Sequence, residues 1–154
     1  MKPTTPKACL LVMDGGRARV FAMRRAPRTF ENLFAVESAW RHTPSRELMS
    51  DAAPRSRHGV SNPASHTKQP RIDPRELEER QFVDQVAKEL VAIQAREGFE
   101  ELVLVADPRT LGRLRNQLGK PLADRVTAEF NWDLAGLKDA EIETRLWSAM
   151  GWAA

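Results

Sequence analysis

A single cysteine among 154 residues rules out an internal disulfide framework. That residue, Cys9, lies inside the apolar stretch Ala8–Met13, where a free thiol reads as a buried structural group and not a reactive one. No run approaches the ~20 apolar residues that span a bilayer. The stretch Ala8–Met13 is also too short for the apolar core of a signal peptide, and Asp-Gly-Gly follows it in place of a small-residue cleavage site. These features lead to the expectation of a cytoplasmic protein with no membrane partner. The chain has no Gly-rich phosphate cradle, no nucleophile elbow, no Cys–His pair and no internal repeat, so no cofactor is implied.

What the chain has is the composition of a globular domain: 42% hydrophobic and 29% charged residues, at a length suited to one core. Residues 1–154 are expected to form one domain. Ala8–Met13 is apolar without alternation, as a central strand covered on both faces requires. Asp14-Gly15-Gly16 then supplies a turn, with glycine expected to accept a positive φ. From Arg17 to Arg24, Ala18, Val20 and Ala22 alternate with Arg17, Arg19, Phe21 and Met23, which predicts a second strand. A third is expected from about Leu33 to Ser38, after a turn around Pro27.

Order restarts at Asp73, a good N-cap before Pro74, with Glu76 placed to complete a capping box. The helix predicted from there buries Phe82, Val83, Val86, Ala87, Leu90, Val91 and Ile93 and ends near Gly98. Leu102 to Ala106 reads as a buried strand, and Asp107-Pro108 opens a helix carrying Leu111, Leu114 and Leu118 up to Gly119. After a turn at Pro121 to Asp124, Val126, Ala128 and Phe130 alternate as a fifth strand, and a last helix from about Asp139 presents Ile142, Leu146 and Met150. Right-handed crossovers then favour an α/β, three-layer, ribonuclease H-like domain. Its mixed sheet has strand order 3-2-1-4-5 with strand 2 antiparallel, and helices cover both faces.

Charge is unevenly distributed between strand three and the first helix. Residues 41–73 hold six cations (Arg41, Arg46, Arg55, Arg57, Lys68 and Arg71) against three acids (Glu47, Asp51 and Asp73), whereas the remainder of the chain balances at 18 of each. The stretch 41–72 has no sustained period and is rich in Pro, Ser, Arg and Ala, so it is read as a mobile basic loop. It holds all three histidines (His42, His58 and His66), but their spacing matches no compact ligand pattern, and no metal site is expected from them.

The segments VMDGGRARVF (Val12 to Phe21), PRIDPRELEERQFVDQVAKEL (Pro70 to Leu90) and ELVLVADPRTLGRLR (Glu101 to Arg115) resemble the bacterial host-attachment protein family. That family is similar in turn to the central domain of the archaeo-eukaryotic peptide-chain release factors. The resemblance implies that the loop after the third strand is the working part, since in the release factors this loop carries Gly-Gly-Gln into the ribosomal peptidyl transferase centre. Here the loop has only Gly59, and Gln69 has no Gly-Gly before it, so peptidyl-tRNA hydrolysis by that chemistry is not expected.

Three functional readings follow. The first is a non-catalytic accessory protein that binds the ribosome or structured RNA through Arg55, Arg57, Lys68 and Arg71 as phosphate contacts, a basic patch being the footprint of such binding. Of the four tryptophans, Trp147 reads as packing, and Trp40, at the start of the loop, is the one placed to stack a base. The second is a metal-dependent nuclease. Asp14 and Asp107 would end parallel neighbouring strands close to Glu76 or Glu79, and a cluster of this kind can hold two divalent ions. Each acid is equally explained without chemistry, Asp14 as a turn residue and Asp107 as an N-cap. The third is an interaction protein acting in attachment through a protein partner the sequence does not identify.

Overall fold

A computed structural model describes residues 5–39 and 73–152. Five strands, β1 (Ala8–Met13), β2 (Arg17–Arg24), β3 (Thr29–Glu37), β4 (Glu101–Val105) and β5 (Val126–Phe130), form one sheet in the order β3-β2-β1-β4-β5. β2 is antiparallel to β1 and to β3, while β4 runs parallel to both β1 and β5. Among the described residues four helices accompany them: α1 (Pro74–Glu97), α2 (Pro108–Gln117), the single turn α3 (Lys120–Ala123) and α4 (Asp139–Ala149). The α/β class and the expected strand order are those of the structure.

The layering follows from β1, in which all six residues are buried. Successive side chains of a strand point to opposite faces, so Cys9, Leu11 and Met13 face one way and Ala8, Leu10 and Val12 the other. The first set joins Val20, Leu102 and Leu104 against the α1 stripe Phe82, Val83, Val86, Ala87, Leu90 and Ile93, with Leu111 and Leu114 of α2 alongside. The second set joins Phe21, Met23, Val103 and Val105 against Ile142, Leu146 and Trp147 of α4. Helices therefore cover both faces. Among the described residues no helix is long and apolar enough to cross a membrane.

Several local expectations change. Val91 is 58% exposed, because at 100° per residue it sits about half a turn around the helix from Phe82. β3 starts at Thr29 rather than Leu33, pairing as far as Thr29 opposite Arg24. It is an edge strand with no fully buried side chain, so its sequence carries little alternation to read. The Pro121 turn is a turn of helix N-capped by Gly119, and α2 ends one residue earlier, with Leu118 as its C-cap. In α4 Trp147 occupies the core, and Met150 is only partly buried.

The helix starts obey capping chemistry. The Asp73 carboxylate accepts from the Arg75 N–H at 2.9 Å and the Asp107 carboxylate from the Thr110 N–H at 3.2 Å, each ahead of a proline in the first turn. The expected capping box on α1 does not close, because the Glu76 carboxylate turns to Arg80 and Arg113. α1 stops at Gly98, whose φ of 63° is left-handed and whose N–H donates to the Gln94 carbonyl.

Cys9 is 1% exposed in this core, and burial pushes its thiol up to about 12 from an ordinary 9.0. Only the thiolate is nucleophilic. The folded protein should thus resist a maleimide or disulfide reagent that labels it fully once urea unfolds the chain; rapid labelling without denaturant would show Cys9 to be accessible.

Candidate functional site

Asp14 and Asp107 each lie two positions beyond the paired Val12 and Val105, so both acids leave the sheet at one edge, where the parallel strands β1 and β4 end. In open α/β sheets that carboxyl edge is where ligands usually bind. The site is built around the β1–β2 turn. Oδ1 of Asp14 accepts from the N–H groups of Gly16 and Arg17, both at 2.9 Å, and Oδ2 accepts from Arg17 Nε at 2.9 Å. The carboxylate closes its own turn and is neutralised by the residue three positions on.

Neither glycine of this turn is left-handed; among the described residues only Gly98 and Gly151 have positive φ. Gly15 is needed for a different reason. A Cβ built there would lie 2.9 Å from Cγ and Cδ of Glu79, so the α1 side chain packs directly on the turn backbone. Glu79 is held in that place from the far side, its Oε2 accepting from Arg113 Nη1 at 2.9 Å. Arg113 Nη2 also reaches Glu76 at 3.5 Å, and Arg80 Nη2 donates to the same Glu76 oxygen at 3.0 Å. With side chains only 13% and 17% exposed, Arg113 and Glu79 form the protected pair of this network.

The structure thus brings Asp14, Asp107, Glu76 and Glu79 to one edge but commits each to another task. Asp107 caps α2, its second oxygen accepting from the Thr110 hydroxyl at 2.6 Å, and the two glutamates are paired with arginines. Among the described residues no group of three or more His, Cys, Asp or Glu is placed to hold a metal ion. Trp40, Arg55, Arg57, Lys68 and Arg71, with the whole stretch 41–72, lie outside the described residues.

The same turn is touched by the two elements that flank that stretch in sequence. The N–H of Ser38, just past β3, donates to the Gly16 carbonyl at 2.7 Å, and α1, which begins at Pro74, sets Glu79 on Gly15. Beside it, a groove of about 490 Å³ runs between the start of β2, the end of β3 and Ala135 and Leu137. Arg19 fixes one wall, donating to the Ala135 carbonyl and to Asp139, both at 2.7 Å.

Trp147 packs as expected, whereas the exposure of Trp132 was not read from the sequence. Trp147 is 2% exposed, lies 5.4 Å from Trp152 between ring centroids and carries the Arg28 guanidinium 4.5 Å above its ring. Trp132 is instead 38% exposed, stacked on Phe130 at 4.5 Å. The signal for it was the alternation of β5 carried one step beyond the strand, which sets Trp132 on the side of Phe130 but past the cover of the sheet.

A protein-family model described as "Protein required for attachment to host cells" matches residues 9–146. No curated protein matches the chain. Among solved structures, an archaeal translation termination factor superposes with a TM-score of 0.49 at 11% identity, covering 94% of this chain and 41% of that one. The chain therefore spans about two fifths of the length of that factor.

The packing of Glu79 on Gly15 has a measurable consequence. Gly15→Ala should push the Glu79 side chain aside and disturb its pair with Arg113, destabilising the fold by up to about 1 kcal/mol, read by urea denaturation. With Glu79→Ala already in place the cost should fall close to zero, since the clashing atoms are gone. Equal costs in the two backgrounds would show that Glu79 does not occupy the turn.

Proposed function

The chain belongs to the family of proteins required for attachment to host cells, and we propose that it is a non-catalytic, cytoplasmic, release-factor-like accessory protein that binds the ribosome or structured RNA through the basic segment 41–72. The observation supporting this reading is that the elements flanking that segment in sequence both touch one turn, Ser38 just past β3 on Gly16 and Glu79 of α1 on Gly15. On this reading a largely charge-balanced domain carries its excess positive charge in that one segment. Arg55, Arg57, Lys68 and Arg71 serve as phosphate contacts, and Trp40 stacks a base at the start of the segment. The commitment of Asp14, Asp107, Glu76 and Glu79 to capping and ion pairing supports a binding role over a catalytic one.

Filter binding of the full chain to ribosomes and to structured RNA at low and high salt tests this reading. Four phosphate contacts to single-stranded RNA give a slope of log K against log salt of roughly −3. Replacing Arg55, Arg57, Lys68 and Arg71 together by Gln should remove most of that slope and leave the thermal melt unchanged. Absent or salt-indifferent binding overturns the reading and leaves that of an interaction protein acting in host or surface attachment. Mg²⁺-dependent cleavage of the RNA that is lost in Asp107→Asn, where the cap is preserved, would make the protein a nuclease instead.

A further inference from the structure

A second surface, between the residue past β5 and the outer side of α4, has the makings of a nucleotide site. A groove of about 370 Å³ is lined by Trp132 on one side and by Thr144, Arg145, Ser148 and Ala149 of α4 on the other. Trp132 is one of only three large hydrophobic side chains left exposed among the described residues, and it is backed by Phe130, whose ring lies 4.5 Å away at 19°. A supported, half-open indole of this kind is a preformed stacking surface that loses little side-chain freedom when a ring docks on it.

The charge opposite it is uncommitted. Arg145 forms no ion pair among the described residues, although Glu141 stands one helical turn before it. The Glu141 carboxylate turns back instead to accept from the Lys138 N–H at 3.2 Å. Glu143 is likewise engaged, accepting from the Trp147 indole N–H at 2.8 Å. The Thr144 hydroxyl donates to the Ala140 carbonyl at 3.1 Å, which leaves its lone pairs available, and the Ser148 hydroxyl has no partner among the described residues. The groove thus offers an aromatic face, a free guanidinium and two hydroxyls on one exposed strip of helix. That is the chemistry of a base with an adjacent phosphate.

We infer that the Trp132–Arg145 groove binds one nucleotide of a single-stranded RNA, the base stacked on Trp132 and its phosphate held by Arg145. This inference rests on the RNA-binding reading above and adds a second contact point, separate from the basic segment.

The test is fluorescence-polarisation titration of the full chain with an oligouridylate of about eight nucleotides, within the usual single-strand site sizes, alongside uridine monophosphate. Trp132→Ala should weaken oligomer binding roughly 5- to 150-fold, the range for losing one stacked base, while Trp132→Phe keeps most of the affinity. Arg145→Gln, an exposed change that spares the core, should reduce the salt slope by about 0.7. If native protein binds the oligomer and neither Trp132→Ala nor Arg145→Gln alters affinity or slope, the groove is excluded while the segment reading stands. Binding that survives the fourfold replacement in segment 41–72 and still depends on Trp132 supports the groove even where the segment fails. Uridine monophosphate binding as tightly as the oligomer would overturn the strand as ligand, and no binding by any of the proteins overturns both readings.

Discussion

Every side chain of β1 is excluded from water, and the rest of the structure follows from that one condition. A strand buried on both faces needs a layer on each side and a hydrogen-bonded neighbour at each edge, since an unpaired buried backbone group costs about as much as a lost hydrogen bond. β2 meets the need on one edge by a tight turn, and β4 on the other through α1. α1 and α2 then close one face and α4 the other. Truncating a fully buried leucine in such a layer costs about 2–5 kcal/mol, a large share of the 5–15 kcal/mol by which domains are stable.

The same arrangement determines what the carboxyl edge can do. Because β1 and β4 are parallel neighbours in register, their terminal acids leave the sheet at one edge, and the acids around that edge are held by specific partners. These partners include arginines on separate elements: Arg17 on β2 for Asp14, and Arg113 on α2 for Glu79 and Glu76. These pairs differ in kind from Lys120–Asp124, whose side chains are 85% and 61% exposed. Exposed pairs contribute about 0–1 kcal/mol, whereas removing one partner of a protected pair leaves a charge that water cannot fully solvate. Arg113 therefore locks α1 to α2 and keeps Glu79 seated on the β1–β2 turn.

What was legible in the sequence is what depends on burial or on local chemistry. The unbroken apolar run of β1, the stripe of α1 and the Asp-Pro helix starts each carry their own explanation within a few residues. β3 was harder to delimit, because an edge strand with half-wet side chains has no hydrophobic register to announce its start. The turn glycine was read for a left-handed backbone that it does not adopt; what makes Gly15 necessary is Glu79, brought against it by helix docking, and no local pattern encodes that contact. Of the site residues, Asp14 and Asp107 emerged as the turn former and cap that the sequence allowed. The freedom of Arg145 could not be read at all, since a Glu four residues earlier suggests an ion pair and only the structure shows that Glu turned toward Lys138.

The two proposed contact points would divide the work of binding by physical kind. Phosphate contacts from a cationic segment gain their free energy largely from released counterions, so their contribution shrinks as salt rises and carries little sequence information. Stacking on an aromatic ring depends on excluded area and dispersion, which salt scarcely touches. A chain with a net charge of only +3 has a modest general attraction for polyanions. At physiological ionic strength, where surface charges are screened within about 8 Å, such a chain needs a salt-insensitive anchor to keep a strand in place once the segment has drawn it in. On the two proposals, the Phe130–Trp132 stack, held between β5 and α4, would supply that anchor. Attraction would then come from the segment and retention from the groove, with neither task resting on the paired carboxylates at the carboxyl edge.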